Sequence, residues 1–357
     1  MQDTTILVKP ASCRCNLQCG YCFYRTEAQE RKVPDRGIMS AETAEILIRR
    51  ALEEGKCRIH FIFQGGEPML AGLPFYRRFV KQVRAYNVNR LEVQFALQTN
   101  GVLLNEEWAG FLAEEKFLVG VSLDAPSFLH DRQRGVGTHR QVLEGIRCLR
   151  EYGVSFNVLS VLTREAVHHP QKVWQELSPY GYMQFTPYIG EEECYIPSPE
   201  ELGIFLCRIF DYYSEAYWAG TPVHVRELDG YLQTLITGMP CGCTNSGSCG
   251  GYFTVEADGS VYPCDFYASD EWYMGNIHTS SLGDLADSEV SHRFIRTSLQ
   301  HPQKCRNCRW YRLCRAGCRR YRETSIGEPQ YCAAYKLLLE HAAPMFLKMA
   351  QSIREKI

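Results

Sequence analysis

The chain of 357 residues has no excess of either charge: 39 Lys and Arg stand against 41 Asp and Glu, a formal net charge of -2. The usual electrostatic argument for a nucleic acid or an anionic membrane surface as partner is therefore missing. No apolar run approaches the ~20 residues that span a bilayer. The N-terminus, Met1-Gln2-Asp3-Thr4-Thr5, has no basic segment followed by an apolar one, so no secretory signal is expected. Repeats, low-complexity tracts and coiled-coil heptads are also absent. The expected compartment is the cytoplasm, with neither nucleic acid nor membrane as partner. Composition is otherwise that of a globular protein, 45% hydrophobic and 22% charged, long enough for a full core and a second module.

What is present in quantity is cysteine, 17 residues of it. Cytoplasmic thiols stay reduced, and clustered ones more often bind metal than form disulfides. Cys57, Cys148, Cys194 and Cys207 are scattered, whereas the others crowd into the first 22 residues and the last third of the chain. Cys15, Cys19 and Cys22 form a C-x3-C-x2-C set just after the apolar run Thr5 to Val8. A [4Fe–4S] cluster takes four thiolates, so three ligands leave one iron open to a substrate or cofactor. A zinc knuckle or unrelated buried thiols would fit the same spacing. The second set runs Cys243-x5-Cys249-x14-Cys264, then Cys305-x2-Cys308-x5-Cys314-x3-Cys318, then Cys332. Eight thiolates suffice for two fully ligated clusters or for a tandem zinc module. Cys13 and Cys241 lie outside both patterns.

Short apolar runs alternate with amphipathic helical patterns over the first two hundred residues. The runs are Thr5–Val8, Arg58–Gln64, Leu91–Gln98, Leu118–Asp124, Ser155–Val161 and Tyr182–Pro187. Arg58–Gln64 is apolar enough for a strand buried on both faces. Ala44, Leu47, Ile48, Ala51 and Leu52 recur at helical steps after Ser40, an expected N-cap, and segments 74–86, 106–115, 138–152 and 170–178 read similarly. Six β-then-α units predict an α/β fold, a partial (β/α)6 TIM-like barrel over 1–198, with function at the C-terminal strand ends. A helical connector is expected over 199–240, opened by the Pro-Ser-Pro-Glu at 197–200. From 241 to 335 periodicity fades, and a cysteine-rich module with a β-hairpin turning at Asp258-Gly259 is expected. Its small core would be replaced by metal clusters. A helical tail over 336–357 ends the chain.

Three other stretches carry chemistry. Gly65-Gly66-Glu67-Pro68 follows the second strand, where glycines let backbone groups approach a ligand closely; Gln64 precedes it. Thr99-Asn100 follows the third strand. Asp265 follows Cys264, where burial would raise its pKa and suit it to general base work; capping backbone amides at the end of a hairpin is the alternative role.

The C-x3-C-x-Tyr-Cys motif resembles the signature of radical S-adenosylmethionine (SAM) enzymes, and the second cysteine set resembles the SPASM auxiliary-cluster domain. "Leu-Val-Lys-Pro-Ala-Ser" at 7–12 with the motif itself, "Phe-Gln-Gly-Gly-Glu-Pro" at 63–68, "Leu-Gln-Thr-Asn-Gly" at 97–101 and "Gly-Ser-Val-Tyr-Pro-Cys-Asp-Phe-Tyr" at 259–267 are similar to the anaerobic sulfatase-maturating enzymes. The resemblance implies three [4Fe–4S] clusters and SAM as cofactors. Cys15, Cys19 and Cys22 would hold the SAM cluster. Cys243, Cys249, Cys264 and Cys318 would hold the first auxiliary cluster, and Cys305, Cys308, Cys314 and Cys332 the second. It implies Tyr21, Gly65, Gly66, Glu67, Ser122, Arg134 and Ile189 as SAM contacts, and Tyr24, Gln64, Gln98 and Asn100 around the target side chain. Asp265 would be the catalytic base, and Asp124 would support Ser122. The implied reaction is radical oxidation of a Cys or Ser side chain to Cα-formylglycine. The implied partners are an unfolded sulfatase segment of the type Cys/Ser-x-Pro/Ala-x-Arg and reduced flavodoxin or ferredoxin as electron donor. The segment after the sixth strand, with its run Glu191-Glu192-Glu193, is shorter than the family leads one to expect. A maturase of a ribosomally made peptide, forming thioether or other side-chain crosslinks, would use the same domains.

Overall fold

A computed structural model describes residues 3–322 and 327–355. Its strands are β1 (Thr4–Val8), β2 (Arg58–Phe63), β3 (Glu92–Thr99), β4 (Leu118–Ser122), β5 (Phe156–Leu162), β6 (Tyr182–Pro187), β7 (His224–Val225), β8 (Tyr252–Val255), β9 (Ser260–Tyr262) and β10 (Gly275–Asn276). The chain forms two compact units. One comprises Met1–Ser122, Gln133–Phe156 and Gly250–Phe294; the other comprises Leu123–Arg132, Asn157–Cys249 and Ile295–Ile357. Compactness thus cuts the chain differently from the sequence texture, because the segment around β8 to β10 joins the N-terminal strands. No helix among the described residues is long and apolar enough to cross a membrane.

In the first unit the strands lie in the order β10-β9-β8-β1-β2-β3-β4. β1 to β4 pair in parallel, with Ile62 of β2 opposite Ala96 of β3. Helices between them return the chain, and two of them start at a side-chain cap. Ser40 accepts from the Thr43 amide ahead of helix Ala41–Glu54, and Asn105 from the Trp108 amide ahead of helix Glu106–Glu114. β2 is not buried on both faces. Ile59, Phe61 and Phe63 are fully buried, while His60 and Ile62 are half-buried. The first face packs an aromatic layer of Phe61, Phe63, Tyr76, Phe79 and Phe117. The second is the face that Gln64 and Gln98 continue, since side chains two residues apart share a side, and it is left open for polar groups.

The hairpin β8–β9 turns where the sequence placed it. The Gly259 amide donates to the Glu256 carbonyl, the Ser260 amide donates to the Asp258 carboxylate, and Gly259 takes φ +84°. Its sheet partner was not foreseen: β8 pairs in parallel with β1, Thr5 opposite Tyr252 and Val8 opposite Val255. A buried ion network fastens this junction. Lys9 Nζ lies 2.9 Å from Glu256 Oε1, and Arg31 reaches the same carboxylate at 2.5 Å and Glu27 at 2.7 Å. Burial works against the charge on both Glu256 and Lys9. The two cations nonetheless hold the carboxyl down at about 2, and the carboxylates keep Lys9 protonated.

In the second unit β5, β6 and β7 are parallel neighbours. The expected helical connector is two helices, Pro199–Trp218 and Arg226–Thr237, separated by the short β7. Ser198 opens the first through a capping box with Glu201, with Pro199 at the first helical position. Helix Cys332–Arg354 packs along both of them.

Replacing Lys9 by Met leaves Glu256 and Glu27 facing Arg31 with one cation fewer. Removing one partner of a buried ion pair costs about 3–5 kcal/mol, so Lys9→Met is expected to lose that much in denaturant unfolding followed by far-UV circular dichroism. The double variant Lys9→Met/Glu256→Leu should recover part of the loss, because it removes the stranded carboxylate.

Candidate active site

The cysteine loop leaves β1 and runs to helix Phe23–Gln29. Cys15 is exposed, and Cys19 and Cys22 are half-buried. The Leu17 amide lies 3.4 Å from Cys15 Sγ, and Asn100 Nδ2 lies 3.7 Å from the same sulfur and 2.8 Å from Asn16 Oδ1. Asn100 therefore supports the thiolate loop directly. Amide donors around a thiolate are a recognised means of tuning a bound metal group. On another side the Gly20 amide donates to the Gln133 carbonyl, and the Arg134 guanidinium lies 5.5 Å from the centre of the Tyr21 ring. Tyr21 and Arg134 are both buried.

Gly65 and Gly66 pack against this loop. Both have positive φ, +90° and +50°. A Cβ at Gly65 would meet the Lys9 side chain at 2.6 Å, and one at Gly66 would meet the Arg14 carbonyl oxygen at 2.2 Å. Only glycine leaves the backbone of 65–66 this close to the thiolate loop, a cradle suited to a cofactor that bridges the two. Glu67 is fully buried, and its oxygens are taken by the protein. Oε1 accepts from the Met69 amide and the Thr99 hydroxyl, Oε2 from the Asn100 amide. Burial lifts its carboxyl to about 7 despite these three donors. Glu67 ties the glycine loop to the end of β3. Further along, Gln98 Nε2 lies 3.4 Å from Ser122 Oγ, and a side chain at Gly120 would occupy the space that Gln98 takes.

Tyr24, Gln64 and Asp265 converge in the first unit. Asp265 Oδ2 accepts from the Tyr24 hydroxyl at 2.5 Å and from Gln64 Nε2 at 2.6 Å; Gln64 Nε2 also lies 3.0 Å from the Tyr24 oxygen. Oδ1 is buried without a hydrogen-bond partner among the described residues. Burial raises the Asp265 pKa above the ordinary carboxyl value; the Lys9 ammonium and the two donors oppose that rise. Lys9 Nζ sits 4.9 Å from the centre of the Tyr24 ring. One carboxylate oxygen is thus held by two donors and the other is free to accept a proton. The sequence reading missed Lys9, Arg31 and Glu256. The signal for Lys9 was a charged residue in register with an apolar strand, Ile6-Leu7-Val8-Lys9, which reads as a strand end.

In the second unit Ile189 follows β6 and is half-buried. Asp124, fully buried, accepts from the Val161 amide, and its own amide donates to His130 Nδ1. The thiol of Cys318 is close enough to Cys243 and Cys249 for their charges to bear on it. Cys314 in the same way feels Cys305 and Cys308, and Cys332 feels Cys305. Cys305, Cys308, Cys314 and Cys332 line one pocket with Trp310 and Tyr311. The Trp310 indole N–H there is buried and has no acceptor among the described residues. Four convergent thiols and an unused donor suit a sulfide-rich inorganic cluster. Cys264 lies in the first unit, beside Asp265 and 3.5 Å from the Tyr252 hydroxyl.

Residues 10–173 match the radical SAM superfamily and residues 243–309 the SPASM iron–sulfur cluster-binding domain. The chain is 38% identical to a cysteine-type anaerobic sulfatase-maturating enzyme of Clostridium perfringens, over 99% of this chain and 100% of the relative. It is 30% identical to a serine-type anaerobic sulfatase-maturating enzyme of Bacteroides thetaiotaomicron, over 95% and 89%. A solved structure described as native anSMEcpe with bound AdoMet and Cp18Cys peptide superimposes with a TM-score of 0.93 at 36% identity, covering 98% of this chain and 99% of that one.

Glu67→Ala strands the Met69 and Asn100 amides in the interior. Each buried donor left unsatisfied costs about 1–3 kcal/mol, and urea unfolding of the purified variant should register a loss of that size or larger. Glu67→Gln keeps one acceptor oxygen and should lose less.

Proposed function

The chain belongs to the anaerobic sulfatase-maturating enzymes of the radical SAM superfamily, and from that premise we propose that it oxidises the Cβ of a cysteine in an extended sulfatase-type peptide to Cα-formylglycine with Asp265 as base. The single observation that carries the assignment of the base is the pairing of a buried, unshared Oδ1 with an Oδ2 held by Tyr24 and Gln64. Cys15, Cys19 and Cys22 would hold an iron–sulfur cluster, and SAM bound there would supply the hydrogen-atom abstraction. The residues of the chain do the rest. Gly65 and Gly66 offer backbone groups to the cofactor, with Tyr21, Ser122, Arg134 and Ile189 as further contacts. Glu67 and Asn100 keep the glycine and cysteine loops in register. Tyr24, Gln64 and Gln98 line the place of the target side chain.

Asp265 Oδ1 takes the proton from the cysteine thiol. The buried Lys9 ammonium keeps a positive charge near that carboxylate, and burial raises the Tyr24 pKa well above its ordinary value, so the hydroxyl stays a donor. Cysteine is the proposed target because the relative at 38% identity is of the cysteine type. The peptide motif is Cys-x-Pro/Ala-x-Arg. Two further clusters are proposed, on Cys243, Cys249, Cys264 and Cys318 and on Cys305, Cys308, Cys314 and Cys332, making three in all. With every iron ligated by the protein, they would carry electrons and not bind substrate. Reduced flavodoxin or ferredoxin is the proposed electron donor and the cytoplasm the compartment. The proposed domains are the SAM barrel at 1–198, a connector at 199–240, the auxiliary-cluster domain at 241–335 and a helical tail at 336–357.

Incubating the reconstituted protein anaerobically with a Cys-x-Pro-x-Arg peptide, SAM and dithionite should convert the cysteine to formylglycine, read as the mass change on loss of the thiol. A crosslink within the peptide would instead favour the peptide-maturase chemistry. Asp265→Asn should still yield 5′-deoxyadenosine, while formylglycine falls by about 10²–10⁴-fold, the usual worth of a general base. Wild-type yield in that variant would place the base elsewhere. Cys15→Ala should lose 5′-deoxyadenosine formation while retaining iron at the other two sets.

A further inference from the structure

The charge of this chain is nearly balanced overall but not locally. Residues 304–320, which carry Cys305, Cys308, Cys314 and Cys318, hold seven Lys and Arg and no Asp or Glu. Removing these seven from the 39 Lys and Arg leaves 32 against 41 Asp and Glu elsewhere, so the stretch is a basic island on an otherwise acidic chain. Lys304, Arg306, Arg309, Arg312 and Arg320 are exposed. The pocket lined by Cys305, Cys308, Cys314 and Cys332 has Lys304 and Lys336 at its walls. Among the described residues, two acids offset part of this charge: Glu328 pairs with Lys304 at 2.7 Å and lies 4.0 Å from Lys336, and Glu340 pairs with Arg309 at 3.1 Å. These pairs are exposed and weak, and they leave the island strongly positive.

The bland use of such a collar is to neutralise the thiolates of a cluster. That needs cations turned onto the sulfurs. Lys304 and Lys336 meet that need, because they line the pocket. Arg306, Arg309 and Arg312 alternate with the thiolate positions, and their side chains are exposed to solvent. Exposed like charges gathered on one short stretch repel one another, and a partner of opposite sign relieves that repulsion.

We propose that this basic collar is the docking surface for an acidic one-electron carrier protein of the ferredoxin class, seated over the Cys305–Cys332 pocket. The inference rests on the reading given under Proposed function. Converting a CH2–SH group to CH=S removes one hydrogen atom from Cβ, one proton from sulfur and one electron. The hydrogen atom goes to the cofactor-derived radical and the proton to Asp265. The oxidised carrier gains the electron, and no bond is made or broken at the contact. The chain's own geometry gives the electron a short way there. In the proposed ligand sets Cys318 goes with Cys243 and Cys249 and Cys314 with the pocket, yet only three residues separate the two cysteines. Their Cα atoms are at most about 14 Å apart even if the chain between them is extended.

The probe is an oxidised acidic bacterial [2Fe–2S] ferredoxin, titrated calorimetrically into the reconstituted protein under anoxia. Binding should weaken about tenfold or more as salt shortens the Debye length from about 10 Å to about 3 Å. It should weaken by a similar factor in Arg306→Glu/Arg309→Glu/Arg312→Glu. Iron content and dithionite-driven 5′-deoxyadenosine formation should stay at wild-type levels. If that variant loses iron, Arg306→Gln/Arg309→Gln/Arg312→Gln takes its place. Carbodiimide coupling of wild-type protein to the ferredoxin should join carrier carboxylates to Lys304 or Lys336, located by peptide mass mapping. Undiminished binding in the variants, salt-independent binding, or crosslinks confined to other lysines would overturn the proposal. Binding at the collar without any formylglycine product would sink the functional reading and leave the docking surface standing.

Discussion

Lys9 and Glu256 are the two buried charges on which the first unit depends. Lys9 follows β1 and Glu256 follows β8, about 250 residues later in the chain. Their ion pair, with Arg31 on the same carboxylate, fixes the register of a parallel strand pair that no short connection could impose. A buried pair of this kind contributes little net stability, because desolvation offsets the Coulomb attraction, but breaking it is costly. Its effect here is positional. With β8 beside β1, the hairpin delivers Asp265 to Tyr24 and Gln64. The same ammonium lies against the Tyr24 ring and opposes the loss of charge that burial imposes on Asp265.

The cofactor side of the first unit uses a second buried carboxylate differently. Glu67 has no ionic partner among the described residues and is surrounded by amide and hydroxyl donors. Burial outweighs these hydrogen bonds and lifts its pKa to about 7. Glycine at 65 and 66 is what allows the loop that Glu67 anchors to touch the cysteine loop backbone. The result is a set of polar backbone groups fixed before any cofactor arrives, the arrangement that lowers the cost of binding.

In the second unit thiols distant in the chain gather in space, four of them around one pocket. Between Cys314 and Cys318 the chain takes positive φ at Arg315, Ala316 and Gly317, and Cys318 is close enough to Cys243 and Cys249 to feel them. Among the arginines interspersed with these cysteines, Arg306, Arg309, Arg312 and Arg320 are exposed.

Much of this was legible in the residues alone. Strand and helix alternation, the Ser40 and Ser198 caps, the Asp258-Gly259 turn and the spacing of the thiols depend on periodicity and local hydrogen bonding, which a sequence carries within a few residues. The pairing of β8 with β1 and the ion network of Lys9, Arg31 and Glu256 were not legible. Nor were the three donors on Glu67 or the two-sided hold on Asp265, whose partner Tyr24 is 241 positions away. Those features join residues separated by most of the chain, and no local pattern records which distant groups will share a buried site. The sequence by itself determined the ligand chemistry and the family. Tertiary structure decided which carboxylate has an oxygen free to take a proton, because burial and long-range partners set that, and both arise only when the chain has folded.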